Sequence, residues 1–272
     1  MHSCEQAVIL AAGRGTRLQR HDPTVQLDPE TQRIAEQGIK ALVPIGPKPF
    51  LDYAVDRLMA AGIRRVCLIV APGSWPLESY VDGLPGRFAG LQAECVEQPE
   101  ARGTGHALRF ARPATGDRDF VMLNSDDLYP LSALQALVNA PSGASYAVGF
   151  DRDALVAHSN MEASRIPSLG ILVPDSRSPD RLARVVEKPA DPAALSVDGR
   201  VWVSMNLWRF SSAIYDFCDK VAESLRGEYE LTSAVQDLSD AGNPVRMLRC
   251  AEPVLDLTSR ADILTLRSIL AP

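Results

Sequence analysis

The residues best suited to chemistry in this sequence are a glycine-rich turn, a pair of lysines and a pair of aspartates. The turn, Leu10-Ala-Ala-Gly-Arg-Gly-Thr-Arg-Leu18, follows the first apolar run directly. Ala11, Ala12, Gly13 and Gly15 keep side-chain bulk away, so backbone N–H groups from Leu10 onward can approach a phosphate or a base edge. Thr16 adds a hydroxyl and Arg17 a planar cation. A Gly-x-Gly pair by itself would suit a tight turn equally well. The run has neither the third glycine of a dinucleotide fingerprint nor the Gly-Lys-Ser/Thr of a P-loop. Downstream, Lys40-Ala-Leu-Val-Pro-Ile-Gly-Pro-Lys-Pro49 holds two lysines on an apolar, proline-stiffened stretch. After a phosphate-binding turn, Lys40 and Lys48 read as charge neutralisation for a triphosphate. Asp126 and Asp127 stand where a strand over residues 120–124 should end, the usual place for ligands in an open α/β sheet. Paired carboxylates there suit a hard cation such as Mg²⁺, the natural complement of phosphates.

Positioning these groups requires a sizeable scaffold, and the composition supplies one. The chain has 272 residues, 46% of them hydrophobic and 23% charged. That is the balance of an ordinary globular protein, and it excludes a disordered or collagen-like chain. With 28 Lys and Arg against 34 Asp and Glu, the net charge of −6 leaves no basic excess for coating nucleic acid. No run is long enough to span a bilayer, and the first residues lack the basic region of a signal peptide. Five scattered cysteines without a Cys-x-x-Cys pair argue against a disulfide framework or a zinc site. The expectation is a cytoplasmic protein with no membrane or nucleic-acid partner.

Apolar runs at residues 6–12, 65–71, 91–96 and 120–124 predict buried strands. Between them, residues 50–61, 104–111 and 131–139 carry helical spacing. This alternation predicts a mostly parallel sheet with helices on both faces. Beyond Ala140, strands are expected at residues 144–150, 168–173, 181–187 and 201–210, and helices at 212–225 and 231–241. A last helix over 259–270 opens on Ser259-Arg-Ala-Asp262, a capping-box pattern. The polar stretch 19–38 reads as a mobile loop and, lying between Arg17 and Lys40, as a candidate lid. Trp202 and Trp208 read as core.

Seven segments together resemble the sugar-1-phosphate nucleotidyltransferases. They are the turn at Leu10, the lysine segment at Lys40, Gln98-Pro-Glu-Ala-Arg-Gly-Thr-Gly-His-Ala-Leu108, Leu123-Asn-Ser-Asp-Asp-Leu128, Val186-Glu-Lys-Pro189 with Val203-Ser-Met-Asn206, and Gly227-Glu-Tyr-Glu-Leu-Thr232. The resemblance implies one α/β, Rossmann-like domain over residues 1–272, with a mostly parallel mixed sheet flanked by helices. About 1–140 would bind nucleotide and 141–272 the acceptor. The implied reaction is attack of a phosphate oxygen on the α-phosphorus of an NTP, releasing pyrophosphate and forming an NDP-sugar, with Mg²⁺ as cofactor.

The resemblance assigns Leu10, Ala11, Ala12, Gly13, Gly15, Thr16, Gln98, Gly103 and Thr104 to the nucleotide, with the Gln98 amide on the base edge. Arg17 and Lys40 hold the triphosphate, Lys188 the acceptor phosphate, and Gly170, Glu187 and Asn206 the acceptor. Asp126 and Asp256 are the implied metal ligands, with Asp127 a neighbour of the first. His106 falls in the base segment and is assigned packing rather than chemistry. Several positions depart from the family pattern: Ile39 precedes the first lysine, Asn124-Ser125 precedes Asp126, and no glycine follows Asp256. These leave the acceptor open to a non-sugar phosphate or phosphonate, served by a cytidylyltransferase. A silent nucleotide-sugar-binding relative and a dinucleotide oxidoreductase are the competing classes, and the implied partners allow a homo-oligomer.

Overall fold

In the computed structural model, which describes residues 4–224 and 226–271, the four expected N-terminal strands form. They are β1 Gln6–Leu10, β2 Arg65–Val70, β3 Gln92–Glu97 and β4 Phe120–Asn124. All four are parallel, in the order β4-β1-β2-β3. Period-two alternation divides the three inner strands between two cores. Ala7, Ile9, Val66, Leu68, Val121 and Leu123 join one hydrophobic cluster with Leu51, Val55 and Leu58 of the helix Phe50–Ala61 and Leu134 and Leu137 of the helix Leu131–Asn139. Val8, Cys67, Ile69, Phe120 and Met122 join the other, against Leu108 of the helix Thr104–Arg109 and Val235 and Leu238 of the helix Leu231–Asp240. Burial on both faces is why these runs are continuously apolar. β3, at the sheet edge, instead carries Gln92, Glu94 and Glu97.

The second half adds β5 Ser145–Asp151, β6 Gly170–Pro174, β7 Leu182–Glu187, β8 Trp202–Phe210 and β9 Val245–Cys250. The sheet runs β7-β6-β8-β4-β1-β2-β3, with β5 on β8 and β9 on β5. Only β7 and β8 oppose the common direction among the described strands, so the sheet is mixed and mostly parallel, as expected. β8 changes neighbours midway. Ser204 pairs with Gly170 and Gly149, whereas Trp208 pairs with Met122 and Ala147. In the bulge between them Asn206 takes a left-handed φ of 54°, a conformation that asparagine tolerates better than most residues.

The structure differs from expectation in three places. β9 and the helices Trp75–Asp82 and Arg152–His158 had no clear signal, because their apolar faces are interrupted by charged and small residues. The helix expected over 212–225 is only Ile214–Cys218, and Leu225 lies outside the described residues, as do Met1–Ser3 and Pro272. It stops early because the following chain bonds across to the base segment: the Tyr229 N–H donates to Arg102 O (2.8 Å) and the Gly105 N–H to Tyr229 O (2.9 Å).

The third difference is the polar insertion, which contains the nine-residue helix Pro29–Gln37. Asp28 caps its start and Gly38, at φ 73°, ends it. Ile34 and Ala35 pack into a third cluster with Leu18, Leu257, Ile263 and Leu266. Arg267 of the last helix, Arg260–Leu270, donates to Thr31 Oγ1 (2.6 Å) and Pro44 O (3.0 Å), and Arg260 donates to Leu18 O (3.1 Å). The insertion is thereby anchored at several points rather than loose. The expected capping box is present at Ser259 and Asp262, and no helix among the described residues is long and apolar enough to cross a membrane.

Candidate active site

The C-terminal ends of β1, β2 and β4 open into a cleft of about 210 Å³ lined by Leu10, Ala11, Gly13, Gly15, Lys40, Ala71, Ser125 and Asp126. Ala12, in the same loop, and Thr16, which opens the short helix Thr16–Gln19, lie outside this wall. The two glycines of the turn do different work. A Cβ at Gly13 would meet nothing within 4 Å, so its bareness leaves open space. A Cβ at Gly15, at φ 60°, would collide with the Gly38 carbonyl. Gly15 is therefore required by the closure of the insertion, whose two ends meet there, and Gln37 and Gly38 become part of the cleft wall.

A second cleft of about 290 Å³ adjoins the first, and Asp126 lines both. Its other walls include Arg17, Asp127, Arg165, Lys188, Asn206, Asp256 and Thr258. Arg17 thus stands with Lys188 rather than beside Lys40 in the first cleft. Lys40 Nζ is 2.7 Å from Asp126 Oδ2. Arg165 Nη2 is 2.7 Å from Asp256 Oδ2 and 2.8 Å from Thr258 Oγ1. Arg17 and Lys188 are exposed and make no side-chain hydrogen bond or close ion pair among the described residues, although the Lys188 charge acts on the nearby carboxyls of Glu187 and Glu230. Lys48 is elsewhere, paired with Asp56 and lying 4.2 Å over the Tyr53 ring.

The carboxylates converge because a two-residue ladder pairs Asp127-Leu128 with Leu255-Asp256, placing Asp127 directly opposite Asp256. Asp127 Oδ2 accepts from Asn124 Nδ2 (2.9 Å), and the Tyr129 hydroxyl is 3.2 Å away. Burial, then the charges of Asp256 and Asp126, raise the Asp127 carboxyl well above the usual carboxylate range. Asp256 is fixed by its backbone, which exchanges two hydrogen bonds with the Asn160 side chain (2.6 and 2.9 Å). Oδ1 of Asp127 and Oδ1 of Asp256 are buried without a partner, an arrangement that invites a cation. Among the described residues no three such side chains gather to hold an ion alone. The donors suit a hard dication whose remaining ligands come from phosphate oxygens.

At the far end of the second cleft, sheet register assembles the remaining residues. Gly170 pairs with both Glu187 and Ser204, and Lys188, at φ 45°, turns out of the end of β7. Burial, then the charge of Glu230, raises the Glu187 carboxyl above its ordinary 4.5. Gln98, expected at the base, lines neither cleft; it follows β3 and its N–H donates to Val70 O (2.8 Å), one strand from Ala11, whose N–H donates to Ile69 O. Gly103, at φ 97°, is held by close contact with Tyr229 backbone, as is Gly105 beside Thr104.

Sequence reasoning missed Arg165, Asn160, Thr258 and Tyr129. Only Tyr129, an aromatic two residues beyond paired aspartates, carried a local signal. His106, assigned to packing, has its Nδ1 3.0 Å from Gln98 Nε2. Trp202 and Trp208 are buried, as expected.

The family model described as Nucleotidyl transferase matches residues 6–251. Agl11 of Haloferax volcanii, a low-salt glycan biosynthesis nucleotidyltransferase, is 28% identical over 87% of this chain and 58% of its own. A glucose-1-phosphate thymidylyltransferase of Streptomyces griseus is 30% identical over 89% of this chain and 59% of its own. The chain therefore spans less than two thirds of the length of these curated relatives. Among solved structures, a UDP-glucose pyrophosphorylase complexed with UDP-glucose shares the fold, with a TM-score of 0.75 at 17% identity and 98% coverage of both chains.

Proposed function

The chain belongs to the nucleotidyl transferase family, and from that premise we propose that it transfers the nucleotidyl group of an NTP to a sugar 1-phosphate or similar phosphorylated acceptor, releasing pyrophosphate. The observation that carries this reading is that Asp126 lines both clefts. One cleft has open space over Gly13 for a triphosphate, and the other has two exposed cations, Arg17 and Lys188, that no close ion pair ties down. An α-phosphorus beside Asp126 would lie within reach of an acceptor phosphate held in the second cleft.

The acceptor phosphate is already an anion, so no residue need remove a proton from it. The barrier is the approach of two polyanions, which is lowered by fixed positive charge and positioning. Lys188 holds the acceptor phosphate. Arg17, in the same cleft and next to the glycine turn, stabilises charge as the bond to pyrophosphate breaks. Lys40 exchanges Asp126 for the triphosphate when nucleotide enters. Glu187 accepts hydrogen bonds from acceptor hydroxyls beside Gly170 and Asn206. Asp126 and Asp256 would hold Mg²⁺, which when bound neutralises phosphate charge and polarises the α-phosphoryl group. NTPs and phosphorylated small molecules fit the cytoplasmic setting expected from the sequence.

Incubation with ATP, CTP, GTP, UTP or dTTP and a panel of sugar phosphates, with pyrophosphate release as readout, tests the reading. Release that requires both substrates and Mg²⁺ is expected. Nucleotide binding without release for any pair would favour the silent, ligand-binding class instead.

A further inference from the structure

We propose that His106 is a positioning residue that holds the Gln98 side-chain amide so that only its oxygen is offered to the nucleotide base. The inference rests on the reading of Gln98 as the base contact. Gln98 is buried at the end of β3, and its Nε2 lies 3.0 Å from His106 Nδ1 and 3.3 Å from Gly103 O. A backbone carbonyl can only accept, so the atom facing it must be the amide nitrogen, which settles the flip of the side chain. Both amide N–H bonds then point inward, and Oε1 is what remains. An acceptor at that point favours a base presenting a ring N–H (uracil, thymine or guanine) over one presenting a ring-nitrogen lone pair (cytosine or adenine).

The imidazole is built to stay an acceptor. Its ring stacks on Tyr229 (centroids 5.9 Å, 28°) and meets Phe110 edge-on at 5.1 Å. The Gln98 amide nitrogen, 3.0 Å from Nδ1, can only donate, so in the neutral ring Nδ1 keeps its lone pair and the proton sits on Nε2. The charged groups facing it are Arg109, Arg102 and the Glu100 carboxylate. Both guanidiniums lie over the Tyr229 ring, at 4.9 and 4.8 Å. Burial, then Arg109 and Arg102, hold the His106 pKa below its ordinary 6.5. Once protonated, Nδ1–H would face the Gln98 N–H, and turning the amide would set its oxygen against the Gly103 carbonyl. Orientation is therefore lost in acid.

The test is equilibrium binding of UTP, GTP, CTP and ATP, with tripolyphosphate as the base-free probe. His106→Phe keeps the ring contacts and removes Nδ1. The expected result is that the preference for UTP and GTP over CTP and ATP falls about tenfold, the worth of one oriented hydrogen bond, while tripolyphosphate affinity is unchanged. In the native protein the same preference should hold down to about pH 6.5 and fall in more acid solution, and the variant should show no such fall. Native-like preference in His106→Phe, when Gln98→Ala has lost it, would overturn the inference alone. Preference surviving in Gln98→Ala would overturn the base-contact reading and this inference together. A native preference that does not change with pH would also count against it.

Discussion

The two clefts that meet at Asp126 are built by opposite means. The first is built on a contiguous glycine turn after β1 and the ends of β2 and β4, with Arg14 of that turn and Lys40, paired to Asp126, as its lining cations. The second is mostly side chains, from segments as distant as Arg17 and Thr258. There Arg165 is paired with Asp256, while Arg17 and Lys188 make no close ion pair and Lys188 faces Glu187 and Glu230 only at longer range. Backbone donors are pre-placed by the fold and serve any triphosphate. On the proposed function, cations on flexible stems would serve an acceptor whose shape varies. If the proposed roles hold, generality rests on the nucleotide's phosphates and selectivity on the acceptor.

The sharpest way to break this comparison is at the shared wall. Asp126→Asn should lower turnover on the order of a hundred- to a thousandfold. Its melting temperature should stay close to native, since Asp126 is half-buried and its ion pair is partly solvated. Full activity at saturating Mg²⁺ would remove Asp126 from the mechanism. Next, Lys188→Ala should cost about ten- to a hundredfold in kcat/KM for the acceptor, the worth of a charge-assisted hydrogen bond, with NTP affinity little changed. Arg17→Ala should impair both substrates, and Arg17→Lys should recover only part, because an ammonium cannot reproduce a planar fork. If Lys188→Ala altered NTP affinity alone, the two clefts would have to exchange roles.

The turn offers an internal contrast. Gly15→Ala should destabilise the fold by about 1–3 kcal/mol, from left-handed strain and the collision with Gly38. Gly13→Ala should leave the urea midpoint unchanged and weaken NTP binding, because its methyl group would enter the open cleft. Equal stability losses would mean that Gly13 is also structural.

The smallest effect concerns Glu187. An acid whose folded pKa is raised contributes stability that is fully present below its unfolded value of 4.5 and lost as pH rises through the folded value. Glu187→Gln should therefore be slightly more stable than the native protein at neutral pH, and the gain should vanish as pH falls toward 4.5. Denaturation at several pH values measures it; a gain independent of pH would refute burial as the cause.

Local patterns carried much of the fold. Phe50–Ala61, Leu131–Asn139 and β4 form over the residues their spacing indicates. The insertion helix was also legible in part, since Asp28-Pro29 and Gly38 are start and stop signals. With only Thr31, Ile34 and Ala35 buried in its nine residues, its apolar stripe was too thin to read. Of the candidate site, the glycine turn, Lys40 and the aspartate pair stood out because their chemistry is contiguous in sequence.

What the sequence by itself determined is whatever depends on neighbours a few residues away: strand and helix periodicity, caps, the bare turn and the acidic strand end. Tertiary structure alone decided which charges are spent on one another. Arg165 meets Asp256 across 91 residues and Lys40 meets Asp126 across 86. Nothing local distinguishes them from Arg17 and Lys188, which make no close ion pair among the described residues. Coulomb energy depends on separation in space and on the surrounding dielectric, and neither is written in the order of residues along a chain.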